Sequence, residues 1–162
     1  MPATALAVRD PALEAVAALY AYPRTGAAEA ARRAQARIAA ASPDAAAHLD
    51  PLVRLLETAE LAACEEQYVR TFELNPVCAL EVGWQIYGEQ YARGAFLVRM
   101  RELAREAGVD CGSELPDHLP NVLRVLARLD GPSAARLATR FTAPAVAAMA
   151  DRLGAGRGVG DP

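Results

Sequence analysis

Large apolar residues recur at helical spacing along most of this chain, and no stretch alternates apolar and polar positions as a half-buried strand would. Leu52, Leu55, Leu56, Ala59, Ala63, Tyr68 and Phe72 approximate one stripe, which runs to a break at Asn75-Pro76. The spacing predicts a first long core helix there. A second helical pattern runs from Val77 to about Ala107, with Leu80, Trp84, Tyr87, Tyr91, Phe96, Met100 and Leu103 apolar and Gly83, Gly88 and Gly94 inside it. Glycine inside a helix costs roughly 1 kcal/mol against alanine. The three glycines therefore call for close packing, a local break or room for a ligand. Leu119, Val122, Leu123 and Leu126 form a third stripe at i, i+3, i+4, i+7, ended by Asp130-Gly131-Pro132.

Start and stop signals supply the remaining elements. Asp10-Pro11 places an N-cap acid before a proline at the first helical position, and the helix it opens runs towards Pro23. Thr25-Gly26 opens an alanine-rich helix over 27–41, with Glu29, Arg32, Arg33 and Arg37 on its solvated side, and Ser42-Pro43-Asp44 closes it. Asp50-Pro51 repeats the start signal, Gly108 is a stop, and 109–115 is a loop. Ser133 is predicted to cap a last helix through about Leu153, bent near Pro144. The expectation is an all-α, single-domain helical bundle of six or seven helices over 1–153, without strand or repeat, followed by a flexible tail over 154–162.

Composition supports the helices, because alanine dominates an apolar fraction of 53% while aromatics are only 6%. All 17 basic residues are arginine against 20 acids, a net charge of −3. That is the opposite of the basic footprint of a nucleic-acid binder, so no nucleic acid is expected as partner. The N-terminus lacks a basic segment, Arg9 and Asp10 interrupt its apolar run, and no stretch approaches the roughly 18 apolar residues of a membrane span. A cytoplasmic location without membrane contact is expected. Cys64, Cys78 and Cys111 are widely spaced and form no C-x-x-C, which fits a reduced compartment.

The candidate chemistry centres on SELPDHLPNVLRVL at 113–126. Pro116 and Pro120 lack an N–H that a first helical turn would leave unpaired anyway, and Asp117 adds an acceptor where the helix dipole is positive. Capping needs no imidazole, so His118 is either a buried, hydrogen-bonded histidine or one that touches a ligand. Asp117 and His118 are adjacent, and no H-E-x-x-H or Glu-x-x-His accompanies them, so no metal or cofactor is expected. There is no G-x-S-x-G, and a cysteine nucleophile would have to recruit one of only two histidines from distant sequence. No catalytic residues are assigned. The aromatics Tyr68, Phe72, Trp84, Tyr87, Tyr91 and Phe96 are core or line a groove, and Glu65, Glu66, Glu73, Glu81 and Glu89 are a solvated face or an acidic rim for a basic peptide. Two other classes are weighed: a helical-bundle metalloprotein or small enzyme, and a regulator binding nucleic acid through Arg24, Arg32, Arg33 and Arg37.

EEQYVRTFE at 65–73, YGEQYARGAFLVRMRELAREAG at 87–108 and ELPDHLPNVLRVL at 114–126, in this order, resemble the TorD/DmsD and NarJ family of redox-enzyme maturation chaperones. The resemblance implies an all-helical cytoplasmic chaperone that is not an enzyme. It would bind the N-terminal, often twin-arginine, segment of a molybdopterin oxidoreductase subunit and assist cofactor insertion. Asp117 and His118 match the family's Asp-His pair, with Pro116 just before it; Tyr68 and Phe72 match its aromatic helix end, and Arg93-Gly94 its Arg-Gly. Glu89 and Asp117 are the expected charge contacts to the bound segment, and Trp84, Tyr91, Leu119 and Leu123 the expected groove wall. The chain is shorter than most members, and Leu115-Pro116 before the Asp-His pair follows the nitrate-reductase-type branch. Monomer and dimer are both compatible with it.

Overall fold

A computed structural model describes residues 7–156, and these are helical apart from their connections. In α1 (Pro11–Leu19) the Asp10 carboxylate accepts from the Ala12 and Leu13 N–H groups at 3.0 and 3.1 Å, the cap its sequence announces. Helix α2 (Ala27–Ala41) follows Gly26, whose φ of +86° turns the chain. Ser42 does more than close α2, since its hydroxyl caps a further short helix, α3 (Pro43–Ala47).

The long helix expected from Pro51 to Asn75 is two pieces, α4 (Asp50–Thr58) and α5 (Leu61–Tyr68), the second continuing as a π-helical turn at Val69–Glu73. Ala59 is extended between them, with φ −86° and ψ 148°. The break lets one apolar stripe serve two neighbours. Leu52, Leu55 and Leu56 face a cavity of about 410 Å³ beneath the turn from α1 to α2, while Tyr68 and Phe72 pack on the main core. Asp50 caps nothing; it accepts from the Gln35 amide at 2.7 Å.

The second expected long helix is also divided. A 3₁₀ turn (Pro76–Cys78) and an extended link lead to α6 (Val82–Tyr87), Gly88 interrupts with φ +55° and ψ −125°, and α7 (Ala92–Ala107) ends on left-handed Gly108. The stripe at 119–126 is α8 (Leu119–Leu126). Asp130, rather than Ser133, caps α9 (Gly131–Leu137), accepting from the Ser133 N–H at 2.9 Å. The bend near Pro144 is a π-helical turn at Ala138–Thr142, after which α10 runs over Ala143–Gly156. The tail expected from 154 thus begins inside a helix; positions 157–162 and the N-terminal residues 1–6 lie outside the described residues.

The main core gathers Ala17 of α1, Leu80, Val82, Phe96, Met100 and the α8 stripe, closed by Leu137, Ala145 and Met149. A satellite of Ala15, Ala34, Ile38 and Ala46 joins α1, α2 and α3. Among the described residues no strand forms, and no helix is long and apolar enough to cross a membrane.

Candidate functional site

Two loops meet where α6 and α8 begin. The Leu119 N–H donates to the Leu80 carbonyl at 2.8 Å and the Val82 N–H to the Asp117 carbonyl at 2.9 Å, an antiparallel bridge that opposes Glu81 and His118. This clamp aims the Asp117 side chain at the first turn of α6, which has no side-chain cap of its own, and Oδ2 accepts from the Gly83 N–H at 2.9 Å. The fit requires glycine at 83. A Cβ there would lie 2.7 Å from Asp117 Oδ2 and 2.9 Å from Phe96 Cδ1, inside contact distance of both.

Asp117 is 0% exposed. Burial pushes its carboxyl above the usual carboxylate value, opposed by the Gly83 hydrogen bond and by the Arg93 charge. Oδ1 is buried without a partner, as is Nε of Arg93. The Arg93 guanidinium lies 5.5 Å from the centre of the Trp84 ring, and the indole N–H donates to the Pro76 carbonyl at 3.0 Å. Asp117, expected as a contact to a client's charge, is thus an interior residue that caps a helix remote in sequence. Leu119, Leu123 and Pro116 are likewise buried, so the first two belong to the core and not to a groove wall. His118 is half-buried at the mouth of α8, where its backbone forms the bridge to Glu81.

Five expected site residues do come together. Trp84, Glu89, Tyr91, Arg93 and Gly94 line one open concavity of about 770 Å³ over the joint between α6 and α7. Tyr91 is 98% exposed there, and the missing side chain at Gly94 leaves open space. Leu97, Val98 and Leu115 complete the apolar lining, with Val98 55% and Leu115 41% exposed. Sequence reasoning missed these three. The signal was present in Val98, an apolar residue on α7 that stands off the core stripe of Phe96, Met100 and Leu103.

Tyr68 and Phe72 sit apart from the concavity, in an aromatic cluster with Tyr20 and Tyr22. Ring centres are 5.3 Å apart for Tyr22–Tyr68 and 5.1 Å for Tyr68–Phe72. The Tyr68 hydroxyl donates to the Tyr20 carbonyl at 3.0 Å, and burial, reinforced by the charges of Glu73, Glu114 and Glu81, pushes its pKa up to about 12. Those three acids are close enough for their charges to act on the Tyr68 hydroxyl. Among the described residues, no group of three or more His, Cys, Asp or Glu is placed to hold a metal ion.

A family model for the nitrate reductase delta subunit matches residues 38–154, a span that contains the clamp, the concavity and every expected site residue. A search of curated proteins returned no match.

Proposed function

The chain belongs to the nitrate reductase delta subunit family, whose members are molybdoenzyme maturation chaperones, and from that premise we propose that it holds the N-terminal segment of a molybdopterin oxidoreductase catalytic subunit in the concavity between α6 and α7. The observation that carries this reading is the exposed Tyr91 beside Trp84, Val98 and Leu115. A contiguous exposed apolar patch of that kind marks an interaction surface. A segment combining arginines with an apolar stretch, as a twin-arginine leader does, would lay the stretch against these side chains in the helix-in-groove mode. Glu89 on the rim would meet its cations.

Each expected site residue has a place in this mechanism. Trp84, Tyr91, Arg93 and Gly94 touch the segment, with Arg93 stacked on the indole as part of the wall. Asp117, Pro116, Leu119 and Leu123 hold α6 and α8 in place from within, and Tyr68 and Phe72 pack against the same core. His118, half-buried, serves the clamp through its backbone bridge to Glu81. Binding occurs in the cytoplasm, keeps the client from premature export or docking while its cofactor is inserted, and performs no covalent chemistry.

The test is a titration of purified chain with a peptide of the client's N-terminus, followed by the fluorescence of Trp84, the sole tryptophan. Tyr91→Ala and Glu89→Gln should each weaken binding about tenfold, equivalent to about 1.4 kcal/mol. Unchanged affinity in a folded Tyr91→Ala protein would overturn the assignment of the site.

A further inference from the structure

On the other side of α7 lies a second recess, walled by α7 and by α9 with the turn that follows it. From α7 it takes Ala92, Ala95, Phe96, Arg99, Leu103 and Glu106, one continuous stripe at three- and four-residue steps. Ser133, Arg136, Leu137 and Arg140 supply the facing wall from α9 and the turn after it, again at helical steps. The two walls stand apart, leaving a trough of about 700 Å³. Its floor is aromatic: Phe96 and Phe141 have ring centres 4.9 Å apart, and Tyr87 lies 5.8 Å from Phe96.

The rim is cationic. Arg9, Arg99, Arg128, Arg136 and Arg140 border the trough, against Glu106 and Asp130. Arg128 is satisfied by Glu14 and Arg99 by Glu102. Among the described residues Arg136 and Arg140 are in no ion pair: the first donates to the Ser133 hydroxyl at 2.9 Å and the second sits 5.7 Å from the Phe141 ring. Asp130 is spent on capping α9. A chain whose net charge is −3 has therefore gathered arginines around one apolar trough.

We infer that the trough between α7 and α9 is a docking surface for an acidic amphipathic helix of a partner protein. The stripe from Ala92 to Glu106 spans about 21 Å at 1.5 Å per residue, the length of about four helical turns. An apolar floor with Arg136 and Arg140, in no ion pair among the described residues, along one wall complements a helix with an apolar face flanked by carboxylates. A bilayer surface is flat and cannot reach a floor recessed between two helices, and a nucleic acid has no use for one made of Phe96, Phe141 and Tyr87. The charge preference is the reverse of that at the Tyr91 concavity, so the two surfaces can be tested separately.

The probe is a synthetic amphipathic peptide of about four turns with a leucine stripe flanked by glutamates, compared with the same peptide carrying lysine at each glutamate. The glutamate peptide should bind at least about tenfold more tightly and weaken with added salt. Arg136→Glu with Arg140→Glu should cost about tenfold or more, whereas Arg101→Glu with Arg105→Glu, the same charge change elsewhere on the molecule, should cost less than about twofold. Helical circular dichroism checks each variant, and Arg140→Gln alone replaces the double variant should that one fail to fold. Binding of neither peptide, equal binding of both, or equal loss in both double variants would overturn the inference. So would sedimentation of the chain with anionic phosphatidylglycerol vesicles that depends on Arg136 and Arg140, which would assign the face to a membrane. Binding of the client's N-terminal peptide is expected to be unaffected by Arg136→Glu.

Discussion

A single methyl separates tolerance from damage at Gly83, whose added Cβ would meet Asp117 Oδ2 and Phe96 with no free space on either side. Gly83→Ala should destabilise the chain by about 1–3 kcal/mol, the usual cost of overpacking a filled core, as read by urea denaturation. Gly94→Ala meets nothing within 4 Å and should be neutral or stabilise by up to about 1 kcal/mol. Asp117→Ala should cost about 1–3 kcal/mol by stranding the buried Gly83 N–H, whereas Asp117→Asn keeps an oxygen acceptor and should cost less. The Asp117 carboxyl also carries a pH signature. Its folded pKa is raised, so its contribution to stability is intact below the ordinary value of 3.8 and is lost as the pH rises through the raised value. Unfolding free energies taken below pH 3.8 and towards neutrality should therefore shift in favour of Asp117→Asn relative to the wild type as the pH rises. The sequence placed Asp117 at the first turn of its own helix or against a client's charge. It could not show the α6 amide, because that N–H lies 34 residues away and is presented by the Leu80–Leu119 and Val82–Asp117 backbone pairs.

Helix boundaries were legible wherever one residue type settles them locally, as at Asp10-Pro11, Ser42-Pro43 and Gly108. They were not legible at Ala59, where nothing in the residue demands an extended backbone and the break exists because Leu55 and Phe72 serve different neighbours. The three glycines of the second pattern divide the three duties between them: Gly83 allows a close approach, Gly88 makes the break, and Gly94 leaves open space. Gly88 has φ +55° with ψ −125°, a conformation that side chains with a Cβ rarely adopt. Gly88→Ala should cost about 1–3 kcal/mol in backbone strain although its Cβ would touch nothing. The joint between α6 and α7 also forms the floor of the Tyr91 concavity. The same variant should therefore lower affinity for the client's N-terminal peptide, a loss absent from Asp10→Ala, which removes a remote cap worth about 1 kcal/mol.

The family match begins at residue 38, yet α1, which precedes it, is fastened into the part that carries the sites. Helix α1 packs on α8, buries Ala17 in the main core, and brings the Arg9 and Asp10 N–H groups to the Ala127 carbonyl at 2.7 and 3.1 Å. Glu14 binds Arg128 at 2.8 Å, with side-chain exposures of 28% and 15%. Such a pair is shielded enough to exceed the value of a surface ion pair, yet wet enough to fall short of a fully buried one. Glu14→Gln and Arg128→Gln should each cost about 1–2 kcal/mol, and a double-mutant cycle between them should return a coupling of about 1 kcal/mol. Both variants should still unfold in one transition with an unchanged denaturant slope, because α1 remains packed into the main core through Ala17. If α1 and α2 were instead an appendage, Arg128→Gln would detach them first and a separate early transition would appear by circular dichroism. Arg128 also borders the arginine trough, so loss of its Glu14 partner frees a cation there. Glu14→Gln should consequently tighten binding of the glutamate peptide even as it lowers stability, an opposition of signs that a purely structural role for the pair would not produce.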